Sequence, residues 1–265
     1  MEVSMLHLKK VSLCLILVAA ISTPLTISGC EVVTGSGELM TLVMDYEDFE
    51  RIEAGYAFEI EITRADTYKV HIIVDEALVE YLNVKKSGGT VYIGLKSGYN
   101  YMKQIRRAEI TLPRLNRLEL SGASEGTMSG FSTSGDMSFE LSGASSLDIE
   151  DLKTGVLNLD MSGASDITGS IETSEGKFGL SGASNLKLSG SAAEIKIEAS
   201  GASKVILTDF PAVNADVELS GASDADIVVS GRLSIDLSGG SKLSYAGDPK
   251  LGSIDVSGSS SIVQK

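Results

Sequence analysis

The four-residue motif Ser-Gly-Ala-Ser recurs along the second half of the chain at a nearly fixed step. Six identical copies and two degenerate ones begin at Ser121, Ser142, Ser162, Ser181, Ser200, Ser220, Ser238 and Ser257, with successive spacings of 21, 20, 19, 19, 20, 18 and 19 residues. One unit of this size cannot bury its own apolar side, whereas stacked units can. The spacing therefore predicts a repeat protein whose core forms between neighbouring units.

Apolar and polar residues alternate before each motif, as in Leu157–Met161, Ile195–Ala199 and Leu233–Leu237. A period of two is typical of half-buried strands. A shorter alternation and a turn follow each motif, so a unit holds two or three short strands. A flexible Gly/Ser-rich linker would lack this alternation. We therefore predict an all-β fold, a right-handed parallel β-helix with about 19–20 residues per coil.

Stacked coils lie about 4.8 Å apart, so equivalent side chains form columns. The residue before each motif is expected to point inward, in a column of Leu141, Met161, Leu180, Ala199, Leu219, Leu237 and Val256. The motif alanines are expected to form a second inward column at a tight corner that accepts only a methyl group: Ala144, Ala164, Ala183, Ala202 and Ala222. The preceding glycine relaxes the backbone there, and the flanking serines are expected to point outward or to hydrogen-bond along the stack.

The start of the chain has the character of an export signal. Lys9 and Lys10 precede an apolar run, residues 11–27, that is too short to favour a permanent membrane span. The run ends in Ile27-Ser28-Gly29-Cys30, which resembles the lipobox of bacterial lipoproteins. The resemblance implies a signal peptide at residues 1–29, cleavage before Cys30 and a lipid on that cysteine, hence an extracytoplasmic, membrane-anchored lipoprotein. An uncleaved anchor and an ordinary secretory signal are the alternatives.

The rest of the chain divides by its patterns. Residues 30–44, with Gly35-Ser36-Gly37, are expected to form a lipid-anchored tether. Residues 45–118 alternate without the motif and are expected to form early, irregular coils and a cap, followed by regular repeats over 119–265 in one continuous domain from residue 45.

One stretch of the expected cap is helical in pattern. Asp75 can serve as its N-cap, with Leu78, Val79 and Leu82 on one face. The residues after Ile262 are expected to close the other end, because an open solenoid end exposes strand edges.

Charge excludes some partners. Removing Glu2, Lys9 and Lys10 from 36 acidic and 22 basic residues leaves 35 and 20, a net charge of −15. Nucleic acids and anionic lipid surfaces are therefore not expected to bind the body of the protein. Cys30 would be the only cysteine after cleavage, which excludes a disulfide and a cysteine metal site in the fold.

Four segments carry a resemblance to a known family: Ala54–Ile62, Val74–Leu78, Leu112–Leu115 and Leu118–Ser124. In these the chain resembles the bacterial domain described as putative auto-transporter adhesin, head GIN domain, over about residues 49–260. The resemblance implies a β-helix like those of pectin lyases, export and an adhesive role. It supplies no established catalytic residues.

An outward position shortly before each motif is acidic in seven of eight copies: Glu119, Glu140, Asp160, Glu198, Glu218, Asp236 and Asp255, with Gly179 as the exception. Stacking would place these carboxylates about 5 Å apart, a repulsive arrangement. Ca²⁺ bound between them would offset the repulsion. Alternatively the charges serve solubility, with water and the nearby Lys177 and Lys196 screening them. No other cofactor is expected.

An aromatic and basic loop, residues 96–107, interrupts this acidic protein. Exposed Tyr99 and Tyr101 could stack on sugar rings, and Arg106 and Arg107 could hold carboxylates of an acidic glycan. Alternatively the tyrosines pack over the first coils while the basic residues face the acidic body.

Catalysis requires a clustered acid and base, and the sequence shows no such cluster. His71 is the only histidine after cleavage, and no triad signature surrounds it. We therefore predict a non-catalytic adhesion or recognition protein of the envelope that binds a glycan or a protein. A carbohydrate-active enzyme of pectin-lyase-like fold and a passive structural protein are the alternatives, and the sequence leaves the oligomeric state open.

Overall fold

The structure, a computed structural model, describes residues 31–102 and 104–265; the predicted signal peptide and Cys30 lie outside these ranges. The described residues form strands β1 to β21 and one 3₁₀ helix, Glu76–Tyr81, between β5 and β6. In order, the strands are Glu31–Thr34, Leu39–Met44, Arg51–Ala54, Glu59–Arg64, Lys69–Asp75, Leu82–Ser87, Thr90–Leu95, Tyr99–Met102, Arg106–Leu112, Arg117–Leu120, Glu125–Ser129, Met137–Leu141, Ser146–Met161, Asp166–Leu180, Asn185–Ala199, Lys204–Leu219, Asp224–Val229, Arg232–Leu237, Lys242–Ala246, Lys250–Val256 and Ser261–Gln264.

Strands β3, β4, β7 and β9 to β21 wind into a parallel β-solenoid of about seven turns. The strands before the motifs form one parallel column and those after the motifs form a second. The long strands β13 to β16 pass from the second column into the first. Partners in neighbouring coils are 21 residues apart at Leu118 and Phe139 and 18 apart at Ala215 and Leu233. The predicted parallel β-helix is confirmed.

Alternate residues of each strand fill one continuous interior. The column that begins with Leu141 is buried as expected, down to Leu237. Phe178 and Phe210 are both fully enclosed, with ring centroids 6.3 Å apart. Each aliphatic or aromatic side chain buried in this way contributes about 1.5–3 kcal/mol. The stacked interior therefore stabilises coils that could not fold singly.

The corner prediction was wrong about which motif residue points inward. Ala144 is exposed, whereas Ser145 is buried. The same holds for the other copies, where the buried residues are Ser124, Ser165, Ser184, Ser203, Ser223 and Ser241. Each of these hydroxyls donates to the carbonyl of the residue three positions earlier, at 2.7 to 2.9 Å. A buried hydroxyl and a corner carbonyl thus satisfy each other, which a methyl group could not do.

The motif glycine is required by backbone geometry as well as by space. Gly143 has φ 76°, in the left-handed region, and a Cβ there would lie 2.5 Å from the carbonyl oxygen of Gly122 in the preceding coil. That carbonyl accepts the N–H of Ala144 at 2.7 Å. The corner therefore turns outward at the glycine, carries the alanine on its outer surface and returns the following serine to the interior.

Residues 31–44 belong to the fold, so the tether prediction was wrong for them. β1 pairs with β8 in a parallel two-stranded sheet. β2 pairs antiparallel with β5, β5 pairs antiparallel with β9, and β6 pairs antiparallel with β7. At the first end of the solenoid, β5 lies beside the parallel strand β9 in one column and β6 lies beside the parallel strand β7 in the other. They cover the first end of the solenoid because their hydrogen bonds satisfy the strand edges that it would otherwise expose.

Asp75 joins the first strands to this cap. It is the N-cap predicted from the sequence, accepting the N–H of Ala77 at 3.0 Å, but the helix it begins is a short 3₁₀ helix. The same carboxylate accepts the N–H groups of Ser36 at 2.8 Å and Gly37 at 2.9 Å. Burial favours the neutral acid, yet these hydrogen bonds outweigh it and lower the pKa of Asp75 to about 2.

The other end of the solenoid is open, contrary to prediction. All seven residues of β20 are exposed, and so is Val263 of β21. Val256, the last member of the expected inward column, is 42% exposed. The residues after Ile262 extend β21 beside β19 and do not fold over the end.

Asp75 predicts a pH dependence of stability. Its pKa is lower in the folded state than the ordinary 3.8, so its contribution is present above that value and is lost as the pH falls through about 2. We expect Asp75→Asn to lower the free energy of unfolding at neutral pH by about 2 kcal/mol. We also expect it to flatten the decline of stability toward acid pH, measured by urea unfolding. Asp66→Asn at an exposed carboxylate is the control; unchanged stability and an unchanged acid profile for Asp75→Asn would contradict this role.

Candidate functional site

The acidic residues predicted to stack do form one file along the first column. Glu119 lies beside Glu140, and Asp236 lies beside Asp255. The intervening members follow in the same register through Asp160, Gly179, Glu198 and Glu218. We call this row, with Glu53 added at its start because it pairs with Glu119, the acidic file. Glu53 was missed because no motif follows its strand, although the alternation of β3 could have indicated it.

Two cations within the column offset the repulsion in the file. Arg117 binds Glu119 and reaches Glu140 at 2.8 Å. Lys196 binds Glu198 and lies 3.7 Å from Glu218. The hydrogen bond that Arg117 donates to Glu119 raises the pKa of Arg117, and the one that Lys196 donates to Glu198 raises the pKa of Lys196.

The predicted partner Lys177 instead contacts Glu175, at 2.9 Å, which is not a member of the file. At Glu53, burial and the charge of Glu119 raise the carboxyl pKa. The neighbouring arginines lower it, but by less.

A groove of about 570 Å³ runs along the file over six coils, from Glu140 to Asp236. Carboxylates of the file line it, together with the first serine of successive motifs: Ser162, Ser181, Ser200, Ser220 and Ser238. Gly179 leaves a notch in the middle of the file, into which the Asp160 carboxylate leans, 2.9 Å from the place a Cβ would occupy. The groove thus repeats the same acceptors and hydroxyls at the coil spacing of about 4.8 Å.

A second hollow, of about 230 Å³, lies at the cap end of the file and shares Glu140 with the groove. Its lining includes Glu53, Tyr56, Asn83 and Tyr92. Tyr56 is 43% exposed and belongs to a backbone with φ 62°, so its ring is held at the surface by an uncommon conformation. Sequence reasoning missed Tyr56, Asn83 and Tyr92, because no repeat or spacing connects them.

The residues of the predicted ligand loop lie in two separate places in the structure. Tyr99 and Tyr101 are half-buried and pack with Tyr81, with the Tyr81 and Tyr99 ring centroids 4.7 Å apart. Arg106 lies against the ring of Tyr101 and donates to the carbonyl of Tyr56 at 2.5 Å. Burial lowers the pKa of Arg106 and raises that of Tyr101. These contacts fit the alternative of a packed loop, and sugar stacking by Tyr99 and Tyr101 stays a prediction.

Arg107 does not join this cluster. It follows Arg106 on β9, so its side chain points to the opposite face of the strand. There it forms an ion pair with Glu59 at 3.0 Å. The four residues predicted as one loop site therefore lie on two surfaces.

Metal ligation has no built site in the described part of the chain. Among residues 31–102 and 104–265, no group of three or more His, Cys, Asp or Glu side chains is placed to hold a metal ion. The carboxylates of the file lie in a straight row, whereas Ca²⁺ takes six to eight oxygens around it. Binding of Ca²⁺ by the file stays a prediction, and the geometry favours the alternative in which Arg117, Lys196 and water screen the charges.

The sequence model of the family described as "putative auto-transporter adhesin, head GIN domain" matches residues 48–249. The comparison with curated proteins gives no match. Within residues 31–102 and 104–265, no helix has the length and apolar character needed to cross a membrane.

Solved structures share the fold. A protein from Parabacteroides merdae described as a putative adhesin is 18% identical, with a TM-score of 0.82 over 89% of this chain and 99% of its own. A putative adhesin from Parabacteroides distasonis is 17% identical, with a TM-score of 0.78 over 88% of this chain and 99% of its own. A putative lipid binding protein from the same species is 17% identical, with a TM-score of 0.77 over 89% and 100%. At these identities the likeness shows the fold alone.

The screening of the file predicts how the protein responds to Ca²⁺. Since Arg117 and Lys196 already lie beside four of the carboxylates, millimolar Ca²⁺ should raise the Tm no more than a Mg²⁺ salt of equal ionic strength. Differential scanning calorimetry measures this directly. A larger rise with Ca²⁺ that disappears in Glu198→Gln would show instead that the file binds the cation.

Proposed function

Since the chain belongs to the family of putative auto-transporter adhesins with a head GIN domain, we propose that it is a non-catalytic adhesion protein that binds an extended glycan along the acidic file. The adhesin family points to a location at the cell surface. The observation that carries the proposal is the groove from Glu140 to Asp236, which adjoins the hollow of Tyr56 and Tyr92 at Glu140.

The chemistry of the groove suits a polyhydroxylated chain. Carboxylates accept hydrogen bonds from sugar hydroxyls, and the serine hydroxyls both donate and accept. Tyr56 offers an exposed ring face at one end, and Asn83 beside it supplies a donor and an acceptor. Like charges would repel an acidic polysaccharide from the file, so we propose a neutral glycan.

We propose further that a lipid on Cys30 anchors the protein. β1 begins at Glu31, the next residue, and successive Cα atoms are about 3.8 Å apart. An anchor there would hold the cap against the membrane surface without a spacer. The groove would then run away from the membrane along the stack of coils.

Catalysis is the rival function, and the described residues give it little support. His71 lies on β5 between β2 and β9 and does not line the groove. The family and two of the three similar structures are described as putative adhesins, which points to a non-enzyme. A passive envelope protein would need no groove.

The decisive experiment offers residues 31–265, which form one compact unit, to a panel of neutral and acidic polysaccharides. Both retention and product release are recorded. Saturable retention on a neutral glycan without products supports the proposal. Released products would establish an enzyme, and retention on no glycan would contradict glycan binding. Mass spectrometry of Cys30 in the full chain tests the anchor separately.

Filling the notch tests where the glycan lies. Gly179→Gln places a neutral side chain between Asp160 and Glu198, displacing only the flexible Asp160 carboxylate. We expect about a tenfold loss of glycan affinity with little change in Tm, because the groove is blocked and the fold is kept. Thr168→Gln, at an exposed position in the second column, is the matched control. Equal affinities of the two variants would place the ligand elsewhere.

A further inference from the structure

The open end of the solenoid leaves its last coil half uncovered. Leu251, Ile254 and Val256 of β20 are 46%, 47% and 42% exposed, and Val263 of β21 is 43% exposed. Leu251 and Ile254 continue the columns of Leu233 and Ile235, which are fully buried one coil earlier. These are core side chains that lack a covering layer.

The backbone at this end is also unpaired on one side. Among the described residues, β20 pairs with β18 alone and β21 pairs with β19 alone. Free strand edges beside exposed aliphatic side chains are a template for another strand. At the first end the outer strand β6 carries the exposed Lys85 and Lys86, charges that oppose the addition of another strand.

We propose that a second copy of this chain covers the open end, tail to tail, with β20 of the two copies pairing antiparallel about a twofold axis. The sequence of β20 is self-complementary in this arrangement. Lys250 of one copy lies opposite Asp255 of the other, and Leu251 lies opposite Ile254. A parallel copy in the same register would instead place Asp255 beside Asp255 and repeat the repulsion of the acidic file.

The orientations of the side chains in β20 are compatible with these pairs. A register irregularity between Leu251 and Ile254 turns both of them toward the interior, opposite Leu233 and Ile235. Lys250 and Asp255 are exposed and lie opposite Arg232 and Asp236 on the outer surface. The twofold pairing therefore brings the inward side chains Leu251 and Ile254 of the two copies together. It also forms two ion pairs between Lys250 and Asp255 on the outer surface.

The interface would be small and closed. One coil end offers less than the roughly 800 Å² per partner of a standard interface, so we infer a weak dimer with Kd in the micromolar range. A twofold interface uses the same surface of both copies, so the assembly closes at two copies. With the proposed anchor at Cys30, the dimer would hold two membranes apart by the length of two solenoids. This consequence, unlike the dimer itself, rests on the proposed function.

Sedimentation velocity on residues 31–265, from about 1 to about 200 µM, tests the dimer without reference to glycan or lipid. We expect a reversible monomer–dimer equilibrium. Lys250→Glu and Asp255→Lys should each weaken it about tenfold, and the double exchange should restore it because the ion pair is re-formed in reverse.

Ile254→Lys tests the apolar part of the interface and should abolish the dimer. Val213→Lys is its matched control, since Val213 is 49% exposed on the side of the solenoid; it should leave the equilibrium unchanged. Circular dichroism and Tm confirm that each variant folds. A monomer at the highest concentration would overturn the proposal, as would a dimer insensitive to Ile254→Lys or a charge exchange that fails to restore association.

Discussion

The fold depends on one main-chain hydrogen bond repeated at every corner. The residue after each motif glycine donates its N–H to the carbonyl of the glycine one coil earlier, at 2.7 Å in the five copies from Ala144 to Ala222. This bond forms only where both glycines have left-handed φ and neither carries a Cβ, because glycine stands directly on glycine. The corner therefore fixes the register of each coil on the next.

The register set at the corner determines how the side chains of neighbouring coils align, both inside and outside the solenoid. Inside, it aligns the aliphatic columns and the column of buried motif serines. Outside, it aligns the carboxylates of the acidic file and the serines that line the groove beside them. A slip of one residue would turn the core side chains to the surface. The same constraint that gives stability thus produces the surface that the proposed function uses.

Much of this could be predicted from the sequence, because a repeated spacing carries long-range information. The step of 18 to 21 residues gave the parallel stacking, and alternation identified Leu141 and its equivalents as buried. The same alternation identified the acidic file. Ala144 and Ser145 were misassigned because the choice between them depends on where a corner carbonyl points, which no pattern of hydrophobicity records.

The non-repeating parts were harder to predict, because no repeated spacing connects the residues that meet there. Residues 31–44 pair with strands far along the chain, and Gly35-Ser36-Gly37 resembles a linker until the carboxylate of Asp75 binds its backbone. Tyr56, Asn83 and Tyr92 come together only through the cap. The open end was unexpected because alternation marks a side chain as inward without showing whether another coil covers it.

The most direct test of this account is the free energy of unfolding of two glycine variants, measured by urea denaturation. Gly182→Ala introduces a Cβ 2.4 Å from the carbonyl oxygen of Gly163, at φ 76°. Gly240→Ala, in the corner Ser238–Ser241, places a methyl group 3.8 Å from its nearest neighbour and restores the common motif. We predict a loss of at least about 3 kcal/mol for Gly182→Ala and almost none for Gly240→Ala. Equal effects, or a stable Gly182→Ala, would show that the corner does not hold the coils in register.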